Sequence, residues 1–476
     1  MNLNLKKITD FIWEIPKHGN MLVPGKIFAS KALLANILKD ESLKQVINVA
    51  TLPGILNYSI AMPDIHEGYG FPIGGVAAVD IDEGFISPGG VGYDINCGVR
   101  LLKTNLFYND IKDKVEKLLI SLFNAIPSGV GSKNAIKKVS HKEFKKVLKN
   151  GSKWAVENGY GYDEDLMFTE DNGCVENEGH LYISDRAVER GRQQLGTLGS
   201  GNHFLEIDII DKIFNKEIAS HIGITEKQIM ILFHTGSRGF GYQVCDDFLK
   251  AMRKQLGKFK YNPPDKQLIA LPFNSDTGKK YFHCMNAAAN YAWANRQIIK
   301  ELIDKTFLNV LNISPKDFKL NQIYDICHNI AKLEKHNGKT ILVHRKGATR
   351  AFSKNNSSIP EFYKNIGQPI IIPGDMGTAS YLLVGKDKAA NLTFASCCHG
   401  AGRVLSRKKA IKKFNNNEII QDLEKKGIIV FAKNKRTIVE EGPDAYKNID
   451  EVVNVVTNCE LAEKVARLRP IAVMKG

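Results

Sequence analysis

Apolar residues along this chain gather into short runs bounded by glycine, proline or polar clusters. The runs at 229–233, 340–343, 369–372 and 381–384 have this form, which predicts strands. A different spacing marks the stretches 110–126, 281–307 and 321–333. In the last, Ile323, Ile326, Ile330 and Leu333 share one face of a 3.6-residue repeat, which predicts a helix. Strands and helices mix without regular βαβ alternation, so the pattern predicts an α+β fold rather than a doubly wound sheet. Helix signals concentrate at about 243–336, between two motif-bearing strands, and predict a helical insertion into one domain rather than a separate domain. No internal repeat or low-complexity linker divides the chain.

Composition sharpens this picture in two respects. A formal net charge of +15 favours a polyanionic partner, through phosphate contacts and counterion release. The lysine-rich runs at 137–149 and 408–413 read as solvated helix faces. Residues 1–16 lack an apolar core before a small-residue cleavage site, and no apolar run reaches membrane-spanning length, so neither a signal peptide nor membrane insertion is expected. The eight cysteines are scattered without C-x-x-C spacing, which argues against a disulfide framework and a zinc ribbon and fits a reducing cytoplasm.

Glycine density is the strongest organisational signal. Nine glycines fall between Gly68 and Gly98, beside Asp94 and Cys97. Glycine weakens helices and strands, so its concentration next to ligand-type residues points to tight turns or close ligand approach. Asp94 and Cys97 are three residues apart, near enough to grip one ion. His203 follows the turn 198–202, His234 ends the apolar run 229–233, and His328 lies on the helical pattern 321–333. A carboxylate, a thiolate and three imidazoles could serve two divalent ions if the sulfur bridges them. Ligand softness alone names zinc.

His399 stands apart from these five. From Asn391 the chain reads as a short strand, then the turn His399-Gly-Ala-Gly402, then a basic, helix-like run 404–413. Strand, Gly-x-Gly turn and helix N-terminus form a phosphate cradle, at whose mouth a histidine could attack phosphorus or hold a metal. The segments 344–350 and 373–380, each following a strand, are further anion-binding candidates. Arg190, Arg238, Arg350, Arg403 and Arg407 stand in or near these motifs and are candidates for RNA phosphates.

Together the segments 62–75, 87–100, 195–206, 234–239, 327–329, 344–350, 373–380, 396–403 and 473–476 resemble the RtcB family of RNA ligases, in order and over nearly the whole chain. The resemblance implies a single catalytic domain spanning 1–476, with mixed sheets around a central metal and nucleotide cleft and the helical insertion at about 243–336. It implies the joining of RNA 2′,3′-cyclic-phosphate or 3′-phosphate ends to 5′-hydroxyl ends, in tRNA splicing or RNA repair, with GTP and two manganese ions. Manganese replaces the zinc of the softness argument, with zinc as an inhibitory occupant. On this resemblance Asp94, Cys97 and His203 would hold one ion and Cys97, His234 and His328 the other, while His399 would form a histidine–GMP intermediate. Asn202, His203, Phe204, Leu205, Glu206, His328, Asn329, Pro373, Gly374, Asp375, Met376, Ser380, His399, Gly400, Ala401, Gly402 and Lys475 would line the guanylate site. Lys475 would require the chain terminus to be tucked into the cleft. An archease-type activator is an expected partner of some members. Asp375 stands where many members have serine, and Cys397-Cys398 where one of the pair is often another small residue. The residues alone also admit a dinuclear metal-dependent phosphoesterase, or a non-catalytic RNA-binding factor with structural metal.

Overall fold

In a computed structural model that describes residues 4–476, the run 229–233 is the middle of strand Gln228–Thr235, buried at every position. Its alternate side chains serve two cores. Met230 and Leu232 pack with Val99, Leu101 and Ile326, while Ile229, Ile231 and Phe233 pack with Leu118, Leu122 and Ile303. A strand covered on both faces reads as a continuous apolar run, which is why the sequence signal was clear. The strand lies in a mixed sheet ordered Leu320–Cys327, Gly98–Phe107, Gln228–Thr235, Phe204–Ile213, Ala462–Lys475, Ser380–Gly385 and Pro369–Ile372, with Ile429–Ala432 pairing in parallel with Ala462–Lys475.

A second sheet is ordered Lys6–Lys7, Ile12–Ile15, Gly25–Phe28, Ile55–His66, Ile73–Asp80, Lys339–Lys346 and Asn329–His336. The two sheets share a core, in which Ile60, Val76 and Val343 cluster with Ile370, Ile372 and Leu383, and at one point the chain passes between them through a single residue. Strand Leu320–Cys327 edges the first and strand Asn329–His336 edges the second, with only His328 between them.

Helices cover the first sheet. Helix Asp276–Leu311 is 36 residues long, capped by the Ser275 hydroxyl accepting from the Gly278 N–H and ended by Asn312 in the left-handed region. It is buried on all sides around Ala287, Ala288, Ala289 and Ala294, because helices Val115–Ala125, His141–Asn150, Ser152–Glu157 and Arg238–Arg253 wall it in. Among the described residues, no helix is long and apolar enough to cross a membrane.

Three local expectations are corrected. The stretch 321–333 is not a helix but the end of one strand, His328, and the start of another. The first of these strands is buried on both faces and admits isoleucine at any parity, a register shift between Gln322 and Tyr324 breaks the alternation that would have identified it, and Leu333 of the second strand is exposed. The helical part of the expected insertion at 243–336 therefore ends at Leu311. The strand before His399 is only Ser396–Cys398, preceded by helix Lys388–Thr393, and the helix after the glycine turn starts at Arg407 behind its own cap, Ser406. The turn does not run directly into a helix N-terminus.

Candidate active site and metal centre

Four adjacent strands deliver five candidate donors to the same end of one sheet. Antiparallel pairing sets Gly98 opposite both Thr235 and Cys327, and His234 opposite Val99 and Phe204. Asp94 and Cys97 precede the first of these strands, His203 precedes another, and His234 and His328 close the remaining two. Two hydrogen bonds stitch the donor loops: the His328 N–H donates to Cys97 O at 2.9 Å, and the Asn329 amide donates to Asp94 O at 3.1 Å. Gly236 leaves no alternative at its position, since a Cβ there would lie 2.4 Å from Asp94 Oδ1.

The donor atoms converge. Cys97 Sγ lies 3.0 Å from His234 Nε2 and 3.4 Å from His203 Nε2; His203 Nε2 lies 2.9 Å from Asp94 Oδ2, and His234 Nε2 lies 3.1 Å from His328 Nε2. The Nδ1 atoms of His203 and His234 face the backbone carbonyls of Leu198 and Asn202, at 2.9 and 3.2 Å. A carbonyl only accepts, so these nitrogens carry the ring protons and turn the Nε2 lone pairs toward the sulfur and carboxylate. Burial, reinforced by neighbouring imidazoles, pushes His234 and His328 well below the ordinary histidine range and keeps them neutral. Lone pairs and an anion packed this closely are mutually repulsive without a cation among them. Their spacing matches the edges of a coordination polyhedron with bonds of about 2 Å. Cys97, His203 and His234 form a group able to hold a metal ion.

Arg296 ties this end of the sheet together from the long helix. Its Nη1 donates to Asn96 O at 2.8 Å and Thr235 O at 2.9 Å, spanning the Asp94–Cys97 loop and the segment after His234. Nε and Nη2 pair with the fully buried Asp325, which also pairs with Arg100.

His399 stands beside the donors, its ring centroid 4.7 Å from that of His328. The buried carboxylate of Asp64 accepts from His399 Nδ1 at 2.6 Å and from its backbone N–H at 3.0 Å, both through Oδ2. The proton is thereby held on Nδ1, and Nε2 keeps its lone pair. Gly402 makes the approach possible: its φ is +72°, and a Cβ there would lie 2.1 Å from Asp64 O. Lys447 donates to the carbonyls of Pro63 and Ile65 on either side of Asp64, and burial lowers its amine to about 8.

A cleft of about 710 Å³ contains Asp94, Cys97, His234, His328 and His399 together with Asn202, Phe204, Glu206, Asn329, Pro373, Gly374, Asp375, Met376, Gly400, Ala401, Gly402 and Lys475. Lys475 ends the strand Ala462–Lys475 opposite Phe204, so strand pairing tucks the terminus into the cleft. Three of the expected guanylate-site residues do not line it. His203 sits behind Asp94, Leu205 belongs to the core beneath the sheet, and the Ser380 hydroxyl supports the loop by accepting from the Gly374 N–H.

The candidate arginines divide. Arg403 and Arg407 line the cleft, both paired with the buried Glu441 at 2.9 Å. Burial alone would raise the Glu441 carboxyl; Arg407, Lys475 and Arg403 more than offset this and hold it at about 2. Arg238 lies near His203, donating to Thr197 and Ser132, and Arg190 lies on the surface. Arg350 is a correction: it is 3 % exposed and paired with Glu170 and Asp171, which leaves it no surface to offer RNA. Asp64, Glu441 and Arg296 carried no expectation from the sequence. Each earns its place through a partner more than 30 residues away.

A family model described as "tRNA-splicing ligase RtcB" matches residues 45–476. A tRNA-splicing ligase RtcB of Archaeoglobus fulgidus is 50% identical over 99% of both chains, and that of Thermococcus kodakarensis is 48% identical over 99% of both. An RNA-splicing ligase RtcB homolog of Entamoeba histolytica is 48% identical, over 91% of this chain and 83% of its own.

Proposed function

The chain belongs to the RtcB family, and from that premise we propose that it is an RNA ligase. It joins 2′,3′-cyclic-phosphate or 3′-phosphate ends to 5′-hydroxyl ends, as in tRNA splicing, with GTP as the energy source. The carrying observation is that His399, oriented by a buried carboxylate, shares one cleft with the converged donors Asp94, Cys97, His234 and His328.

His399 Nε2 attacks the α-phosphorus of GTP; a P–N bond forms and pyrophosphate leaves. The imidazole gains positive charge as the bond forms, and Asp64 stabilises it through the proton retained on Nδ1. Water first opens any 2′,3′-cyclic phosphate to a 3′-phosphate and a free 2′-hydroxyl; a 3′-phosphate oxygen then attacks the phosphorus of the bound guanylate, breaks the P–N bond and returns the lone pair to His399. The 5′-hydroxyl of the second RNA attacks the activated 3′-phosphorus, forming the phosphodiester and releasing GMP. Manganese held by Asp94, Cys97, His203, His234 and His328 would neutralise charge on the phosphoryl oxygens. Glu206, buried and facing the cleft near Lys475, supplies an acceptor for the donor edge of guanine.

Incubation with α-labelled GTP and manganese, followed by denaturing electrophoresis, tests the reading. Wild type takes up label and His399→Ala does not. Label on His399→Ala would remove the nucleophile assignment, and phosphate release from RNA without GTP would favour a phosphoesterase.

A further inference from the structure

A row of planar side chains outside the metal and guanylate sets starts at one wall of the cleft and runs outward from it. Tyr69 and Tyr93 line the cleft beside Asp94 and Cys97. Their rings meet edge to face at 5.5 Å, Tyr93 stacks on Tyr242 at 4.7 Å and 21°, and the Arg190 guanidinium lies over Tyr242 at 5.3 Å. The row therefore leads from the residue next to Asp94 to an arginine on the surface.

Four separate segments build it. Tyr69 lies in the glycine-rich loop, where its carbonyl accepts from Lys346 Nζ at 2.6 Å, and Tyr93 immediately precedes Asp94. Tyr242 projects from helix Arg238–Arg253, and Arg190 from helix Asp185–Gly191, held by Gln243 Oε1 at 3.1 Å. Core packing does not account for the outer half. Tyr242 is 46 % exposed, the three phenol hydroxyls have no hydrogen-bond partner among the described residues, and Arg190 makes no ion pair among them. An arginine without a carboxylate, stacked on exposed aromatic rings beside a phosphoryl-transfer cleft in a chain of net charge +15, presents π-faces and positive charge together. Unpaired nucleobases are bound through that combination, because every base has a π-face and every linkage a phosphate.

We propose that Tyr69, Tyr93, Tyr242 and Arg190 form a stacking track for the unpaired bases of an RNA strand whose reacting end lies at the metal donors. The inference rests on the ligase reading and adds to it a base-binding subsite. It requires the last few nucleotides at the junction to be single-stranded, since paired bases cannot turn their faces to the track.

Two short RNAs serve as probes, each carrying fluorescent 2-aminopurine at one end: the last base before a 3′-phosphate, or the first base after a 5′-hydroxyl. Stacking quenches the fluorophore, and the quenched probe identifies which strand uses the track. Tyr242→Ala and Arg190→Ser each weaken binding of that probe by roughly 5- to 100-fold, as loss of one stacking partner requires. Tyr242→Phe, which keeps the ring and loses only the hydroxyl, binds as wild type does. Melting temperature, read on every variant, confirms that the affinities compare folded proteins. Binding of both probes by Tyr242→Ala and Arg190→Ser within twofold of wild type would overturn the proposal, as would equal losses in Tyr242→Phe and Tyr242→Ala. Guanylylation of wild type without RNA is scored separately: its failure counts against the ligase reading, whereas intact guanylylation with unaffected probe binding counts against the track alone.

Discussion

Replacing Asp64 by asparagine isolates what the carboxylate does for His399. The side chains are nearly isosteric, so packing against Gly402 is kept while the charge is lost. In the wild type one oxygen accepts from both His399 Nδ1, at 2.6 Å, and the His399 backbone N–H, at 3.0 Å, in a setting with no solvent exposure of the carboxylate. A hydrogen bond to a charged partner contributes about 1.5–3 kcal/mol. Unit charges near 4 Å contribute about 4 kcal/mol at an effective dielectric constant near 20. These are overlapping accounts of one contact, so about 3–4 kcal/mol is the expected loss when the imidazole becomes cationic. That corresponds to roughly 10²- to 10³-fold in rate. Asparagine can also present its N–H₂ to Nδ1, which moves the ring proton to Nε2 and blocks the lone pair, so the larger figure is favoured. The assay is single-turnover formation of the GMP adduct from labelled GTP at saturating manganese, with melting temperature to confirm folding. An Asp64→Asn rate within about threefold of wild type would refute the assignment of Asp64 as the orienting base partner.

Arg296→Met removes the donors that span Asn96 O and Thr235 O and leaves Asp325 short of a partner. Bound manganese per chain, read by elemental analysis, falls well below wild type; full metal content in folded protein would count against a positioning role. Arg296→Lys keeps the charge but not the two-carbonyl span and gives an intermediate content. Glu334 is buried against Arg345, which more than offsets the cost of burial and lowers the carboxyl to about 2. A depressed carboxylate contributes stability above its unfolded value and loses it as pH falls through the folded one, so about 3 kcal/mol disappears between about pH 4.5 and 2. Urea denaturation at stepped pH checks this, and Glu334→Gln shows the shallower acid slope. Arg350→Met leaves the buried Glu170 and Asp171 to share the single cation of Lys332 and costs about 3 kcal/mol of stability, with RNA affinity of the folded fraction unchanged in filter binding.

Local signals told much of the fold. The strand at 229–233 and the helix at 281–307 were legible because hydrophobic period and turn residues act within a few positions of each other. Part of the donor set was legible too: Cys97, His203 and His234, which the structure groups as able to hold an ion, stand beside glycine-rich turns or at an element end in the sequence, whereas His328 lay inside an expected helix. What local pattern could not separate is two successive strands from a helix: Ile323, Ile326, Ile330 and Leu333 satisfy a helical period while belonging to two sheets. The difference lies in what covers each face, and the covering residues come from elsewhere in the chain.

The sequence by itself determined which residue types were on hand and, outside 321–333 and the flanks of His399, which of the patterned segments would become strands and helices. Tertiary structure alone decided their meeting. Antiparallel register gathered four strand ends into one set of donors, and a separation of 335 residues closed to set Asp64 on His399. The same packing removed Arg350 from the surface by burying it between two carboxylates. A buried charge must be compensated by whatever the fold brings near it, and no spacing along the chain encodes which partner that will be.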